Sequence, residues 1–288
     1  MLWTPGNSFN WRTDNFGSTY TDAGLGTSVP GSGVANTKGA NTALLAGIAE
    51  DCYGIAICFS GLSSSAGIRR SIVDLLIDPA AGAGNAGSSW SVAIANLYCN
   101  NPAFTLGATG QRYYFPLFLK AGTAIGAALQ DVAATAAAAR VCVRCFGKPT
   151  RPELLRVGTK VQTLGATTAS TTGVAVTPGT SAKGSYSATL GTTSFDAWWW
   201  QLGIGSNDSS MTANSYLWDI AVNATNKIIV AQDIGYGVVG TVEQAWKDAM
   251  GCCPPMYDVA SGQDVYVRAA AAAAPDSSMD AIVYALGG

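Results

Sequence analysis

Tyr113 to Gly147 decides the reading. Phe115-Pro116-Leu117-Phe118-Leu119 is followed by Ala121-Gly122-Thr123 and Ala124-Ile125-Gly126-Ala127-Ala128-Leu129. An alanine-rich turn then leads into Arg140-Val141-Cys142-Val143-Arg144-Cys145-Phe146-Gly147. The stretch reads as two strands and, past a turn, a third. The chain then says it again: Met256-Tyr257-Asp258-Val259, Ala260-Ser261-Gly262-Gln263, Asp264-Val265-Tyr266-Val267-Arg268, an alanine run, and Ala281-Ile282-Val283-Tyr284-Ala285-Leu286-Gly287. Gly262 follows Gly122, Val283 follows Val143 and Gly287 follows Gly147 at one offset (262 − 122 = 140). A period this long is a domain duplication, since solenoid units run about 20–50 residues.

The repeat continues upstream. Ser71-Ile72-Val73-Asp74-Leu75-Leu76-Ile77-Asp78 matches Tyr216-Leu217-Trp218-Asp219-Ile220-Ala221-Val222-Asn223 (219 − 74 = 145). The same offset pairs Gly39 with Gly184 and Tyr53-Gly54-Ile55 with Trp198-Trp199-Trp200. Val73, Leu75 and Ile77 share one strand face, as do Trp218, Ile220 and Val222. Strand side chains alternate between faces, so a register error of one would have destroyed this match.

Eight strand-like segments separated by Gly, Pro, Asn and Ser lie between Gly26 and Gly147. They are Thr27–Val29, Thr42–Leu45, Tyr53–Phe59, Ser71–Ile77, Ser91–Tyr98, Tyr113–Leu119, Ala124–Leu129 and Val141–Phe146. Eight short strands predict a two-sheet jelly roll, with an immunoglobulin-like sandwich as the runner-up. The expected fold is therefore all-β: two tandem antiparallel β-sandwich, jelly-roll-like domains arising from duplication, behind an extended N-terminal arm.

Residues 1–25 are the arm, 26–147 the first domain, 148–157 a charged, proline-rich linker and 158–288 the second domain. The second domain opens at Gly158-Thr159-Lys160-Val161, echoing Gly26-Thr27-Ser28-Val29, and its residues 163–191 are expected to form two strands and loops. The alanine runs 133–139 and 269–274 have helical propensity, but their place before the last strand argues for a turn. Val242–Met250 is a short amphipathic helix candidate.

Composition bounds the chemistry. Of 288 residues, 12% are charged, about half the usual share, and the net charge is −2. With Arg69-Arg70 the densest basic spot, the chain lacks a nucleic-acid footprint. No apolar run approaches the roughly 18 residues of a membrane span. The first residues carry no signal-peptide pattern, so synthesis in a host cytoplasm is expected. There is no histidine. That excludes Ser-His-Asp and Cys-His nucleophile systems and a cupin-type metal site.

Four groups of residues invite a functional reading. Trp3, Phe9, Trp11 and Phe16 make the arm adhesive: it folds back on its own domain or docks on a neighbouring subunit. The seven cysteines include a CxxC, Cys142–Cys145, whose members face opposite ways on a strand, which disfavours zinc and thioredoxin-like chemistry. Cys145 reads as a buried apolar residue. Cys142 sits beside two arginines that favour disulfide exchange. Third and eighth strands are neighbours in a jelly roll, so Cys52 or Cys58 can approach Cys142 or Cys145. With Cys99, Cys252 and Cys253 they are candidate thiols for disulfides, including links between subunits.

In Trp198-Trp199-Trp200, Trp198 and Trp200 are expected to share a face and Trp199 to take the other. Trp199 is therefore the candidate aromatic surface for a sugar, although packing or an interface is the commoner use. Asp74, Asp219 and the pair Asp78 and Asn223 are expected to be exposed and solvated, with no carboxylate pair placed for glycoside hydrolysis. No catalytic, cofactor or metal site is expected.

The Gly122 and Gly262 turns and the closing strands Val141–Gly147 and Ala281–Gly287 carry an architectural resemblance. Tandem jelly-roll-like units with few charges, Gly/Ala/Ser/Thr-rich loops and an aromatic arm resemble a structural protein of a tailed-bacteriophage virion. The resemblance implies a capsid decoration protein, or a neck, collar or tail-attached one, that binds itself and other virion proteins. It implies no enzymatic activity, cofactor, nucleic acid or membrane. A coat of double jelly-roll type from a non-tailed virus is a further class. The alternative is a carbohydrate-binding β-sandwich module for receptor or cell-surface attachment, with a glycan as partner.

Overall fold

β-branched and aromatic residues alternating with small ones build eighteen strands and no helix among the described residues. The computed structural model describes residues 9–16, 26–62, 71–99, 112–131, 138–150, 156–166, 173–206, 214–238, 258–274 and 279–288. In the first unit these are β1 (Arg12–Asp14), β2 (Thr27–Pro30), β3 (Thr42–Leu45), β4 (Gly54–Leu62), β5 (Ser71–Asp78), β6 (Ser91–Tyr98), β7 (Arg112–Phe115), β8 (Ala124–Asp131) and β9 (Ala138–Phe146). The second unit has β10 (Lys160–Leu164), β11 (Val174–Val176), β12 (Gly179–Thr180), β13 (Gly191–Thr192), β14 (Ala197–Ser206), β15 (Asn214–Val222), β16 (Ile228–Val238), β17 (Asp264–Ala271) and β18 (Met279–Gly287).

The first unit's sheets run β2-β9-β4-β7 and β3-β8-β5-β6, with β1 beside β9 beyond the end of β2. Counting β2 as first, this is the order 1-8-3-6 and 2-7-4-5 of a jelly roll. The second unit repeats it. β10 and β11 line one edge of β18 with β14 on the other, and the facing sheet runs from β12 and β13 through β17 and β15 to β16. Among the described residues no strand fills its sixth position.

Register proves the repeat residue by residue. Gly54 pairs with Phe146 and Trp199 with Leu286; Asp74 pairs with Ala128 and Asp219 with Arg268. Those are the offsets of 145 and 140 read from the sequence. Gly122 and Gly262 both have positive φ, 88° and 82°, in equivalent turns where an L side chain is strained.

Several expectations need correction. The strand expected over 113–119 ends at Phe115, because Pro116 has no N–H for the ladder; Leu117 and Leu119 make isolated bridges to Gly158 and Cys52. The Gly158 echo was misplaced. Val161 pairs with Leu286 as Arg12 pairs with Phe146, so β10 is the counterpart of β1, and β11 of β2. Where two strands were expected over 163–191, the described residues of 160–192 form four. Ala269–Ala271 belong to β17, where Ala269 and Ala271 face the core. The linker's Pro149 bridges to Phe9, and Gly158, which opens the second domain, bonds to the first unit. The helix candidate at 242–250 and most of the run at 133–139 lie outside the described residues.

Two apolar cores result, and β18 belongs to both. Met279, Ala281, Val283 and Ala285 face the second unit's sandwich, while Ile282, Tyr284 and Leu286 enter the first unit's core. A strand covered on both faces reads as a continuous apolar run, and all nine residues of β18 are buried.

Candidate functional site

The most elaborate constellation in the described residues is the joint between the two jelly rolls. β6 and β7 are the open edges of the first sandwich, and an open edge presents unpaired N–H and C=O groups. The second unit covers them with the outer face of the sheet that holds β10, β18 and β14. Tyr284 does this with one hydroxyl, which accepts from Tyr98 N at 3.1 Å and donates to Asn96 O at 2.7 Å. Thr163 Oγ1 donates to Ala95 O at 2.7 Å, and Asn96 Nδ2 donates to Ala166 O at 2.7 Å. On β7, Trp199 Nε1 donates to Tyr114 O at 3.1 Å, and Gln201 Nε2 donates to the same oxygen. Main-chain bonds of 2.9 Å join Gly158 N to Pro116 O and Phe118 N to Gly158 O.

Aromatic rings fill the space between. Tyr284 lies edge-on to Tyr113 at 5.3 Å and to Phe115 at 6.2 Å. Glycine on β14 makes the room: a Cβ on Gly205 would sit 2.5 Å from the Tyr98 ring. Burial raises the Tyr113 and Tyr284 hydroxyls above the ordinary tyrosine value, so they hydrogen-bond as neutral groups.

This joint corrects the reading of Trp199. It is buried, edge-on to Tyr114 at 6.1 Å, and offers no aromatic platform. A bulge between Ala197 and Trp199 also breaks the expected alternation. Trp198 and Trp199 both join the first unit's core, and Trp200 joins the second's.

The described part of the arm is engaged by its own unit. β1 pairs with β9, and Asn10 N donates to Lys148 O at 3.1 Å. Phe9 lies tilted against Phe146 with ring centroids 4.8 Å apart, Trp11 packs against the core, and Phe16 lies under the Arg144 guanidinium at 4.7 Å. Of the arm residues offered for docking, these three are committed within the chain, because their partners on β9 need covering. Trp3 lies outside the described residues.

The described cysteines lie in the first unit. Cys58 and Cys142 are register partners across β4 and β9, and the Cys52 and Cys145 thiols hydrogen-bond to each other. This is the third-to-eighth-strand proximity expected from the fold. Cys52, Cys99 and Cys145 are wholly buried and Cys142 nearly so, which does not suit links between subunits. Cys252 and Cys253 lie outside the described residues. No group of three His, Cys, Asp or Glu spaced to hold a metal occurs among the described residues.

The paired aspartates were misread as solvated. Lys38 Nζ meets Asp74 Oδ1 at 2.7 Å, and Lys183 Nζ meets Asp219 Oδ1 at 2.7 Å. The same oxygens accept from Asn96 N at 2.8 Å and Asp233 N at 3.1 Å, residues that both have φ of 55°. Each unit thus clamps the bulge that β6 or β16 makes against its neighbour with a lysine, an aspartate and a left-handed residue. Asp219 is buried and also takes Arg268 Nε at 3.0 Å. Lys38 and Lys183 lie beside Gly39 and Gly184 at the same offset, the signal that could have revealed them. Asp78 accepts from Ala80, Ser88 and Ser89 N, and Asn223 Oδ1 from Thr225 and Asn226 N, so both organise turns.

In the second unit the counterpart of β6 is β16, and among the described residues only β15 pairs with it. This edge strand is eleven residues long. Ile228 and Ile229 on it, and Leu217 on β15, are exposed at 40%, 36% and 46%.

No protein-family model and no curated protein matches the chain. Among solved structures, N-glycanase F (PNGase F) overlaps it with a TM-score of 0.31 at 9% identity, covering 98% of this chain and 94% of that one. PNGase F described as a glycosylasparaginase from Flavobacterium meningosepticum gives a TM-score of 0.29 at 9% identity, covering 98% and 94%. Overlaps this loose carry no activity across.

Proposed function

We propose that the chain is a non-enzymatic structural component of a phage particle. It assembles through subunit interfaces on the virion surface, as a capsid decoration or cement protein or as a neck, collar or tail-attached one. The supporting observation is the contrast between two equivalent edges. From Ala95 to Tyr98 the β6 edge of the first jelly roll is covered by the sheet of the next one, with Val92 left exposed at its start. Among the described residues no second strand pairs with the β16 edge of the second, where Ile228 and Ile229 are exposed, as is Leu217 on the neighbouring β15. Long apolar edge strands template pairing with another chain. The low charge, 12% of residues, keeps desolvation of such a contact cheap. An interface of about 1,600 Å², gaining about 25 cal/mol per Å² of apolar burial, can exceed an association cost of about 4–15 kcal/mol. Copies repeated on a particle add avidity. The glycan-binding alternative loses its main support with Trp199 buried.

The test places charge on the edge. Ile228→Lys with Ile229→Lys leaves the core untouched, and the doubly substituted chain should fold yet fail to assemble or to enter particles. Normal incorporation of that variant would refute β16 as the assembly edge. Antibody against the chain that fails to label intact particles would refute the virion placement.

A further inference from the structure

The outer face of the sheet formed by β2, β9, β4 and β7 carries a second, separate feature. Cys58 on β4 lies directly opposite Cys142 on β9 and, on its other side, opposite Arg112 on β7. Alternation along β9 puts Arg140 and Arg144 on the same face, flanking Cys142. The two thiols are in hydrogen-bond contact. Directly opposed residues of an antiparallel pair have Cα atoms about 4.5–5.5 Å apart, and a disulfide closes with Cα atoms about 4.4–6.8 Å apart. The pair therefore needs little backbone movement to join. Cys58 is partly exposed and Cys142 is buried behind it. That ordering suits an attacking thiol and a resolving one. The second unit has Gly203 and Ile282 at the equivalent positions, so the feature belongs to the first unit alone.

We propose that Cys58 and Cys142 are a redox pair that closes a cross-strand disulfide by exchange with an anionic low-molecular-weight disulfide of the glutathione type, drawn in by Arg112 and Arg140, Arg144 being ion-paired with Asp14. The Cys58 thiolate attacks one sulfur of that disulfide, forming a mixed disulfide and releasing one small thiolate. Cys142, losing its proton, then attacks the Cys58 sulfur and releases the second. Two protein thiols are oxidised to one disulfide, and one small disulfide is reduced to two thiols. The hydrogen bond with Cys142 and burial hold the Cys58 thiol well above the ordinary thiol range, against the smaller opposite pull of Arg112 and Arg144, so exchange is slow at neutral pH. Exchange accordingly quickens as pH rises above neutrality. Cys52 and Cys145 also touch, but both are wholly buried in the core and out of reach of such a reagent. They serve as an internal control.

The experiment treats the full chain with oxidised glutathione, blocks remaining thiols with an alkylating agent under denaturing conditions, and maps peptides by mass spectrometry without reductant. The expected product links Cys58 to Cys142 within one chain, is undone by dithiothreitol, and leaves Cys52 and Cys145 alkylated. Cys142→Ser should stop at a glutathione adduct on Cys58. Arg112→Ala with Arg140→Ala should slow the reaction by about threefold for oxidised glutathione, with a smaller effect on a neutral disulfide such as 2-hydroxyethyl disulfide. Recovery of Cys58 and Cys142 as alkylated residues after oxidation would overturn the proposal. So would linkage of either to another chain, or an equal slowing for both reagents.

Discussion

At the scale of single residues, the duplicated lysine and aspartate are the clearest case of sequence and structure agreeing on position but not on role. Asp74 and Asp219 were legible as equivalent because a fixed offset carried them. Their burial was not, since nothing local to a strand shows that a lysine about 36 residues earlier folds over it (219 − 183 = 36). Breaking a buried ion pair by removing one partner costs about 3–5 kcal/mol. Asp219, 2% exposed with Lys183 and Arg268 on it, should show that loss as Asp219→Ala in urea unfolding. Asp74, 13% exposed with one lysine, should lose less on the same substitution; equal losses would mean that burial is not what sets the energy. The tyrosines of the joint give a pH prediction. The unfolded chain ionises tyrosine near 10.0, while burial keeps Tyr113 and Tyr284 protonated above it. Stability is therefore fully present below pH 10.0 and falls as pH rises beyond it. Melting temperature measured from pH 8 to 11 should drop at the alkaline end, and Tyr284→Phe should flatten that drop.

At the scale of elements, the eight strands of the first unit were readable because turn residues separate them and their segments either alternate or run continuously apolar. β1 was not, because Arg-Thr-Asp carries no apolar signal, and only its pairing with β9 makes it a strand. The bulge that turns Trp198 and Trp199 to one side was invisible for a similar reason: a bulge is a property of two strands, not of one. The closing strand was legible in outline. Its place at the end of the repeat was read from the offset, but not that its two faces are buried in different units. Gly205 on β14 is where this packing is tightest. Gly205→Val should destabilise by about 1–3 kcal/mol through overpacking against Tyr98, read as a shift in the urea midpoint. An unchanged midpoint would mean that the joint yields there without cost.

For the whole molecule, a core shared through β18 predicts one cooperative unfolding transition in calorimetry rather than one for each jelly roll. Two separated transitions would show that the joint contributes little. The duplication also leaves the molecule asymmetric: one unit's edge is covered from Ala95 to Tyr98 by the other unit, and among the described residues its counterpart pairs on one side only and carries exposed isoleucines. Head-to-tail contacts between unlike surfaces form rings or filaments rather than closed pairs. The measurement that bears most directly on this account is molar mass in solution by light scattering across a concentration series, for the wild-type chain and the Ile228→Lys, Ile229→Lys variant. The account predicts a wild-type mass that climbs to a multiple of 29.4 kDa while the variant stays at 29.4 kDa. A wild-type chain that remains at 29.4 kDa throughout, indistinguishable from the variant, would contradict assembly through this edge.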